Sequence, residues 1–308
     1  MEILLQLVLL ILGFAMLGKG SDWFVDGAAG IAARFGISEL VIGLTIVAMG
    51  TSAPEAAVSI AASFSGSAGI TVGNIVGSNI MNILVILGLT ALIRPLPVEK
   101  GTLKVEMPIV ILVTVALYIM GRDGVLTFID GALLIAFFIS YLTRLYIVSK
   151  NTLPLTEEEE PGYSIGHDLL WTVGGAAIIL VGSDITVDAA VAIAKFLGLS
   201  DRIIGLTIVA LGTSLPELFT SVTAARKGNV DIAVGNIVGS NLFNILFVIG
   251  VSSMLISIPF EAAFIKDMYW CILAAVMLFV FSYTKQKVER WEGAVMLCAY
   301  AVYLYRML

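Results

Sequence analysis

Long apolar runs alternate along the chain with short polar or turn-forming segments. Each run is long enough to cross the hydrocarbon core of a bilayer as a helix, which takes roughly 17–25 residues. Ten runs are visible, at 2–33, 40–63, 71–93, 105–121, 125–147, 168–194, 203–225, 231–256, 262–283 and 290–307. The pattern predicts an all-α membrane protein with ten transmembrane helices.

The composition narrows the classes of function. Hydrophobic residues make up 59% of the chain and charged residues 13%, and the mean hydropathy is +1.03; a soluble domain has about 25% charged residues. The formal net charge is −6 and no basic patch is visible, so nucleic acid is not an expected partner. The sequence shows no nucleophile beside a base and no phosphate-binding loop, which disfavours an enzyme, and no cofactor is expected.

The two halves of the chain are copies of each other. A shift of 162 residues places 37–55 over 199–217 with 13 of 19 positions identical, and 72–84 over 234–246 with 11 of 13. Five predicted spans separate each position from its copy, and an odd number of crossings reverses the direction of entry. The sequence therefore predicts two inverted five-helix repeats, which secondary transporters use to build a substrate site at the bilayer midplane.

The predicted organisation is a first repeat at 1–148, a linker at 149–167 and a second repeat at 168–308. The duplicated motifs occupy 43–84 and 205–246. The acidic run 157–160 within the linker has two interpretations, a regulatory cation site or an ordinary solvated loop. With the N-terminus outside the cell, eleven Lys and Arg residues fall in cytoplasmic loops and five outside. The positive-inside rule then predicts a cell-membrane protein with both termini outside and the linker in the cytoplasm.

Two carboxylates lie deep inside predicted spans. Glu55 and Glu217 are related by the repeat, and no Lys or Arg lies at comparable depth in the repeated spans. An ionisable group at that depth is costly and usually marks an ion pathway. The alternative is a carboxylate that packs between helices in its neutral form. The duplication favours a cation site.

Each of these glutamates follows a proline, in G-T-S-A-P-E and G-T-S-L-P-E. Proline provides no N–H for the carbonyl four residues earlier, so the carbonyls of Gly50 and Gly212 should be freed and the helix interrupted. Thr51 and Glu55 share a helix face, so a hydroxyl, a carboxylate and carbonyl oxygens are expected to converge. The alternative role for the Thr-Ser pair is to cap the second half-helix.

The following span of each repeat supplies further oxygen ligands. Ser78 and Asn82 are four residues apart on one face, and Ser240 and Asn244 repeat the arrangement. Glycine pairs four residues apart, at 73 and 77 and at 235 and 239, are typical of close helix approach. Carboxylate, amide, hydroxyl and carbonyl oxygens without His or Cys suit Ca²⁺ and Na⁺ rather than Zn²⁺ or Cu⁺.

At these residues the sequence resembles the cation/calcium exchanger superfamily, and specifically its prokaryotic-type sodium/calcium exchangers. Their two repeats carry G-T-S-x-P-E and G-S-N-x-x-N or close variants, and the likeness covers nearly the whole chain. The resemblance implies exchange of about three Na⁺ for one Ca²⁺ by alternating access. It also implies a set of ion ligands: Glu55 and Glu217 for Ca²⁺ and Na⁺, helped by Thr51, Thr213 and the carbonyls of Ala48 and Ala210, with Ser52, Ser78, Asn82, Ser214, Ser240 and Asn244 completing the sodium sites.

Two departures from the pattern concern coupling. Potassium-dependent exchangers resemble this sequence but carry Asp where this chain has Asn244, so we expect potassium-independent exchange. Proton/calcium exchangers look like G-N-x-x-E at the glutamate motif, which this chain lacks. The alternatives that remain are a proton-coupled divalent-cation antiporter on the same scaffold and a passive channel or non-transporting membrane protein. The expected partners are Ca²⁺, Na⁺ and the lipid bilayer; the oligomeric state is open, with a monomer as the working expectation.

Overall fold

The computed structural model describes residues 2–64, 69–151, 164–198 and 210–307, with the backbone alone at 2, 151 and 210. In chain order the helical segments are α1 (Glu2–Phe35), α2 (Glu39–Thr51), α3 (Ala53–Phe64), α4 (Gly69–Ile93), α5 (Lys100–Asp123), α6 (Phe128–Asn151), α7 (Ile165–Phe196), α8 (Ala210–Thr213), α9 (Leu215–Lys227), α10 (Val230–Leu255), α11 (Ala262–Lys285) and α12 (Arg290–Met307). The short strands are β1 (Leu96–Pro97), β2 (Val125–Leu126), β3 (Ile258–Pro259) and β4 (Lys287–Val288).

The predicted membrane character is confirmed. Within the described ranges, seven helices are long and apolar enough to cross a membrane, and the bent pair α2 and α3 adds an eighth candidate. The seven are α1, α4, α5, α6, α7, α10 and α11. The run predicted at 203–225 begins on residues outside the description, as does the acidic run of the linker. The 18 residues of α12 include three charged ones, Arg290, Glu292 and Arg306, so it is not among the seven. A count of ten spans therefore stays a prediction.

Helices α1 and α7, which begin the two halves, pack closely against each other. A Cβ at Gly175 would lie 2.8 Å from the carbonyl oxygen of Gly20, and one at Gly182 would lie 3.1 Å from that of Gly13. The later glycine of α7 lies against the earlier glycine of α1, so the two helices are antiparallel. The absence of side chains at the glycines allows this close approach.

The centre of the molecule is formed by α4 and α10. In the most apolar 18-residue stretch of each helix, 83% of α4 and 94% of α10 is buried inside the protein. A helix that is enclosed on all sides carries apolar residues on all its faces rather than along one stripe. These two helices contain the duplicated Asn-bearing motif, so the motif lies in the core of the protein.

Two short β-ribbons join the halves. Leu96 of β1 pairs with Val288 of β4, and Leu126 of β2 pairs with Ile258 of β3. Adding 162 to Leu96 gives Ile258, and adding 162 to Leu126 gives Val288. The second ribbon is therefore the first with the contributions of the halves exchanged, as expected if the sequence repeat is also a structural repeat.

The close approach predicted for the glycines of α10 is confirmed. A Cβ at Gly239 would lie 2.6 Å from the carbonyl oxygen of Leu44 and 2.7 Å from the Cβ of Ala48. One at Gly235 would lie 2.9 Å from the carbonyl oxygen of Leu40 and 3.0 Å from the Cα of Gly43. For Gly73 and Gly77 of α4, the matching partners would fall at 202–210, and 202–209 lie outside the description. For that pair the prediction remains.

Gly239→Ala should therefore lower the stability of the protein. An added methyl group has to push α2 away from α10, and overpacking of this kind costs about 1–3 kcal/mol. Gly174→Ala is the matched control, because a Cβ at Gly174 meets no described atom within 4 Å. Thermal unfolding of the purified variants in detergent measures the difference. Equal midpoints for the two variants would contradict the close contact.

Candidate cation site

Both halves interrupt a helix next to the proline that precedes the glutamate. In the first half α2 and α3 meet at Ser52, with φ −83° and ψ 8°, and are bent by 50°. In the second half α8 and α9 meet at Ser214, with φ −93° and ψ 4°. Pro54 and Pro216 cannot donate to the carbonyls four residues earlier. The predicted interruption is confirmed in both halves.

The two freed carbonyls have different surroundings. Ser183 Oγ of α7 donates to the carbonyl oxygen of Gly212 at 2.9 Å. Its counterpart Ser21 of α1 donates instead to the carbonyl of Leu17, within its own helix, at 2.6 Å. The hydroxyl of α7 therefore compensates for the missing backbone hydrogen bond of the second half, and the hydroxyl of α1 does not do so for Gly50.

The two glutamates lie where the broken helices meet, and both are fully buried. Ser52 Oγ donates to Glu217 Oε1 at 2.7 Å, and Ser214 Oγ donates to Glu55 Oε1 at 3.4 Å. Each serine at a helix break thus reaches the glutamate of the opposite half. The two half-sites share their ligands and form one site.

The second oxygen of each carboxylate is unsatisfied. Oε2 of Glu55 and Oε2 of Glu217 are buried without a hydrogen-bond partner, and neither glutamate forms an ion pair within the described ranges. An ionised carboxylate left unpaired in a low-dielectric interior is strongly destabilising. A bound cation would satisfy both oxygens.

Four buried asparagines of α4 and α10 form crossed pairs between the two halves. Asn82 Nδ2 donates to Asn241 Oδ1 at 3.2 Å, and Asn244 Nδ2 donates to Asn79 Oδ1 at 3.2 Å. The Oδ1 atoms of Asn82 and Asn244 remain buried without a partner among the described residues. Asn79 Nδ2 donates to the backbone carbonyl of Asn241 at 3.2 Å, whereas Asn241 Nδ2 is buried without a partner in the described part of the chain. The unpaired Oδ1 atoms of Asn82 and Asn244 could each accept from a ligand or bind an ion.

Wide helical turns begin at Asn82 and Asn244. Residues 82–87 and 244–249 are π-helical, a form that occurs mostly as single turns and frequently at functional sites. The first of these turns contacts α9 and the second contacts α3. Each asparagine segment is therefore packed against the glutamate-bearing helix of the other half.

A further asparagine in each half stabilises the helix break. Asn74 Nδ2 donates to the carbonyl of Glu55 at 3.4 Å and to Ser59 Oγ at 3.0 Å. Asn236 Nδ2 donates in the same way to the backbone carbonyl of Glu217 at 3.4 Å and to Ser221 Oγ at 2.9 Å. Reasoning from the sequence missed seven residues of the site: Ser59, Asn74, Asn79, Ser183, Ser221, Asn236 and Asn241. The signal was present, since each is identical to its counterpart 162 positions away.

The remaining predicted ligands have varied surroundings. Thr51 Oγ1 donates to Asn236 Oδ1 at 3.0 Å and to the carbonyl of Ala48 at 3.2 Å. Ser240 Oγ donates to the same Ala48 carbonyl at 3.5 Å. Thr213 Oγ1 is buried without a described partner, and Ser78 is buried in α4. Ala210 begins α8, but its surroundings lie outside the description.

The chemistry of this site is that of hard oxygen ligands. Within the described ranges no group of three or more His, Cys, Asp or Glu side chains could hold a metal. The two carboxylates and two amide oxygens match the ligands of Ca²⁺ and Na⁺. Two negative charges balance one Ca²⁺ or two Na⁺, so the same site suits either ion.

Comparison with known proteins agrees with this chemistry. The family model described as sodium/calcium exchanger protein matches residues 5–147 and 167–308. The sodium/calcium exchanger MaX1 of Methanosarcina acetivorans is 34% identical over 98% of both chains, and the uncharacterized membrane protein MJ0091 of Methanocaldococcus jannaschii is 36% identical over 95% of this chain and 94% of that one. A solved structure of the sodium-calcium exchanger NCX_Mj superposes with a TM-score of 0.88 at 35% identity, covering 99% of this chain and 100% of that one. The chain belongs to the sodium/calcium exchanger family.

Proposed function

We propose that the protein is a secondary antiporter that exchanges about three Na⁺ for one Ca²⁺ across the cell membrane, without K⁺, by alternating access. The observation that carries the proposal is the pair of fully buried glutamates, each with one unsatisfied oxygen and no described cationic partner. The crossed asparagine pairs add two free amide oxygens. Such a site requires cations, and its oxygen ligands suit both ions that the family exchanges.

The charge of the site supports an electrogenic cycle. Glu55 and Glu217 contribute two negative charges, and Asn82 and Asn244 contribute none. One Ca²⁺ makes the occupied site neutral, whereas three Na⁺ leave a net charge of one. A membrane potential should then act mainly on the sodium-carrying step.

The repeat architecture supports alternating access. The antiparallel contact of α1 and α7, the exchanged strand pairs of the ribbons and the crossed hydrogen bonds of the site all relate one half to the other. We infer two inverted five-helix repeats, at 1–148 and 168–308, with ten transmembrane helices. Because the site lies between elements of the two halves, movement of one part against the other would open it to either side.

The orientation follows from the positive charges. Arg34 at the end of α1 pairs with Asp168 near the start of α7, with 3.3 Å between the charged atoms. These two helix ends therefore lie on the same side of the membrane, next to the linker. The excess of Lys and Arg on that side supports a cytoplasmic linker with both termini outside.

Glu55→Gln and Glu217→Gln should each abolish calcium transport while the protein stays folded, because the neutral amide is nearly isosteric and easier to bury. The assay is uptake of ⁴⁵Ca²⁺ into vesicles loaded with Na⁺, at equal pH on both sides. Glu261→Gln, at an exposed position, is the control and should transport normally. A normal rate in either site variant would exclude the proposed site. Uptake that follows a pH gradient but not a Na⁺ gradient would instead favour the proton-coupled alternative.

The membrane potential should bias the exchange. One net charge per cycle corresponds to about 2.3 kcal/mol per 100 mV, so the calcium ratio at equilibrium should change well over tenfold for that potential. The measurement is the equilibrium Ca²⁺ ratio across vesicles whose potential is clamped with a K⁺ gradient and valinomycin. A ratio that ignores the potential would indicate two Na⁺ per Ca²⁺.

Exchange should continue without K⁺, since Asn244 brings no charge to hold an additional cation beside the others. Sodium-driven Ca²⁺ uptake with K⁺ replaced by choline on both sides should be unchanged. Asn244→Asp, which adds a carboxylate within the π-helical turn, should alter the cation dependence. A wild-type rate that collapses without K⁺ and returns when K⁺ is added would refute this part of the proposal.

A further inference from the structure

Each half of the protein carries a pair of aspartates outside the ion site described above. Asp22 and Asp26 lie four residues apart on α1, and Asp184 and Asp188 are their counterparts on α7, 162 positions later. Residues four apart share one face of a helix, so each pair presents two carboxylates side by side. The two pairs differ in what lies opposite them.

The two aspartates on α1 form ion pairs with a lysine of the protein. Lys227 Nζ, at the end of α9, lies 2.7 Å from Asp26 Oδ1 and 3.4 Å from Asp22 Oδ1. The same ammonium donates to the backbone carbonyl of Asp22 at 3.0 Å. This arrangement of carboxylates and carbonyl therefore binds a cation, here one that belongs to the protein itself.

The pair on α7 faces a cavity instead. The position 162 residues before Lys227 is Ser65, so the sequence has no positive side chain there. Asp184 and Asp188 are exposed, form no ion pair within the described ranges, and line a cavity of about 260 Å³. At about 30 Å³ per water molecule, this volume holds an ion together with a first shell of water.

The inner wall of this cavity belongs to the ion site. Pro54, which adjoins Glu55, lines it together with Gly212 and Thr213 at the break between α8 and α9. Thr213 Oγ1 is buried and has no hydrogen-bond partner in the described part of the chain. The cavity therefore extends from the acidic pair to residues that adjoin the two helix breaks.

We propose that Asp184 and Asp188 form a capture site for a hydrated divalent cation at the mouth of this cavity, from which the ion passes to Glu55 and Glu217. At the equivalent pair on α1, Lys227 takes the place of the ion. A cleft lined by one sign of charge concentrates counter-ions and raises their rate of entry by about 10–10³-fold. The transport role rests on the proposed function; the binding of a cation by this pair does not.

The binding test uses Mn²⁺ as the probe and the Glu55→Gln/Glu217→Gln protein, in which the central site is disabled. Electron paramagnetic resonance of the purified protein should show weakly bound Mn²⁺ that Ca²⁺ displaces. Adding Asp184→Asn/Asp188→Asn should remove this signal. The control Asp123→Asn/Glu261→Gln, which takes the same charge from exposed positions at or next to helix ends, should retain it. Equal Mn²⁺ binding in the two quadruple variants would overturn the proposal.

The transport test uses right-side-out membrane vesicles loaded with Na⁺, because the predicted topology places the mouth outside. Asp184→Asn/Asp188→Asn in the otherwise native protein should raise the apparent KM for Ca²⁺ by about 3–10-fold at low ionic strength, with less effect at high salt. An unchanged KM, or an equal change in Asp123→Asn/Glu261→Gln, would contradict the capture role. Failure of the wild type to take up Ca²⁺ would refute the proposed antiport while leaving the Mn²⁺ result to decide on binding.

Discussion

The structure depends on one electrostatic constraint, the burial of two carboxylates at the centre of the protein without a described cationic partner. Glu55 and Glu217 have no exposed surface, and one oxygen of each accepts from a serine of the other half. In a low-dielectric interior two ionised carboxylates are unfavourable unless a cation binds or protons neutralise them. The proposed function takes the first course, with the two related positions contributing to one cation site.

Much of the surrounding architecture serves to hold these carboxylates in place. The prolines interrupt the helices, Asn74 and Asn236 donate to the backbone at the breaks, and the crossed asparagine pairs join α4 to α10. The glycines of α10 allow it to approach α2 closely. In the proposed function these contacts hold the acceptor oxygens in place before an ion binds, so that little of the protein has to reorganise.

The repeat explains why the site lies between the halves. Serine from one break reaches glutamate from the other, and the π-helical turn of each asparagine contacts the opposite glutamate helix. The copies are not identical in their contacts, however. Ser183 compensates for the open carbonyl of Gly212 while Ser21 does not compensate for that of Gly50, and Lys227 has no counterpart at 65. These differences make the surroundings of the two halves of the site chemically distinct.

The sequence predicts those parts of the site that depend on residue type alone. A carboxylate after a proline within an apolar span is visible without coordinates, and so are the helix break and the oxygen-only ligand set. The partners of Asn79 and Asn241 are not, because those hydrogen bonds join residues about 160 positions apart. The π-helical turns were also missed, since their residues form ordinary apolar helix patterns. The duplicated positions were identifiable, but their roles required the packing of α4 against α10.

The central claim is that the buried carboxylates require a cation, and thermal unfolding of the purified protein tests it most directly. A ligand that binds only the folded state stabilises it by about 2.7 kcal/mol at a hundred times its Kd. The unfolding midpoint should therefore rise in CaCl₂ and in NaCl relative to choline chloride at equal ionic strength. In the Glu55→Gln/Glu217→Gln protein, where both central charges are removed, the midpoint in choline should be higher than in the wild type, and the rise in either cation should be much smaller. A wild-type midpoint that is the same in choline, sodium and calcium would contradict the account.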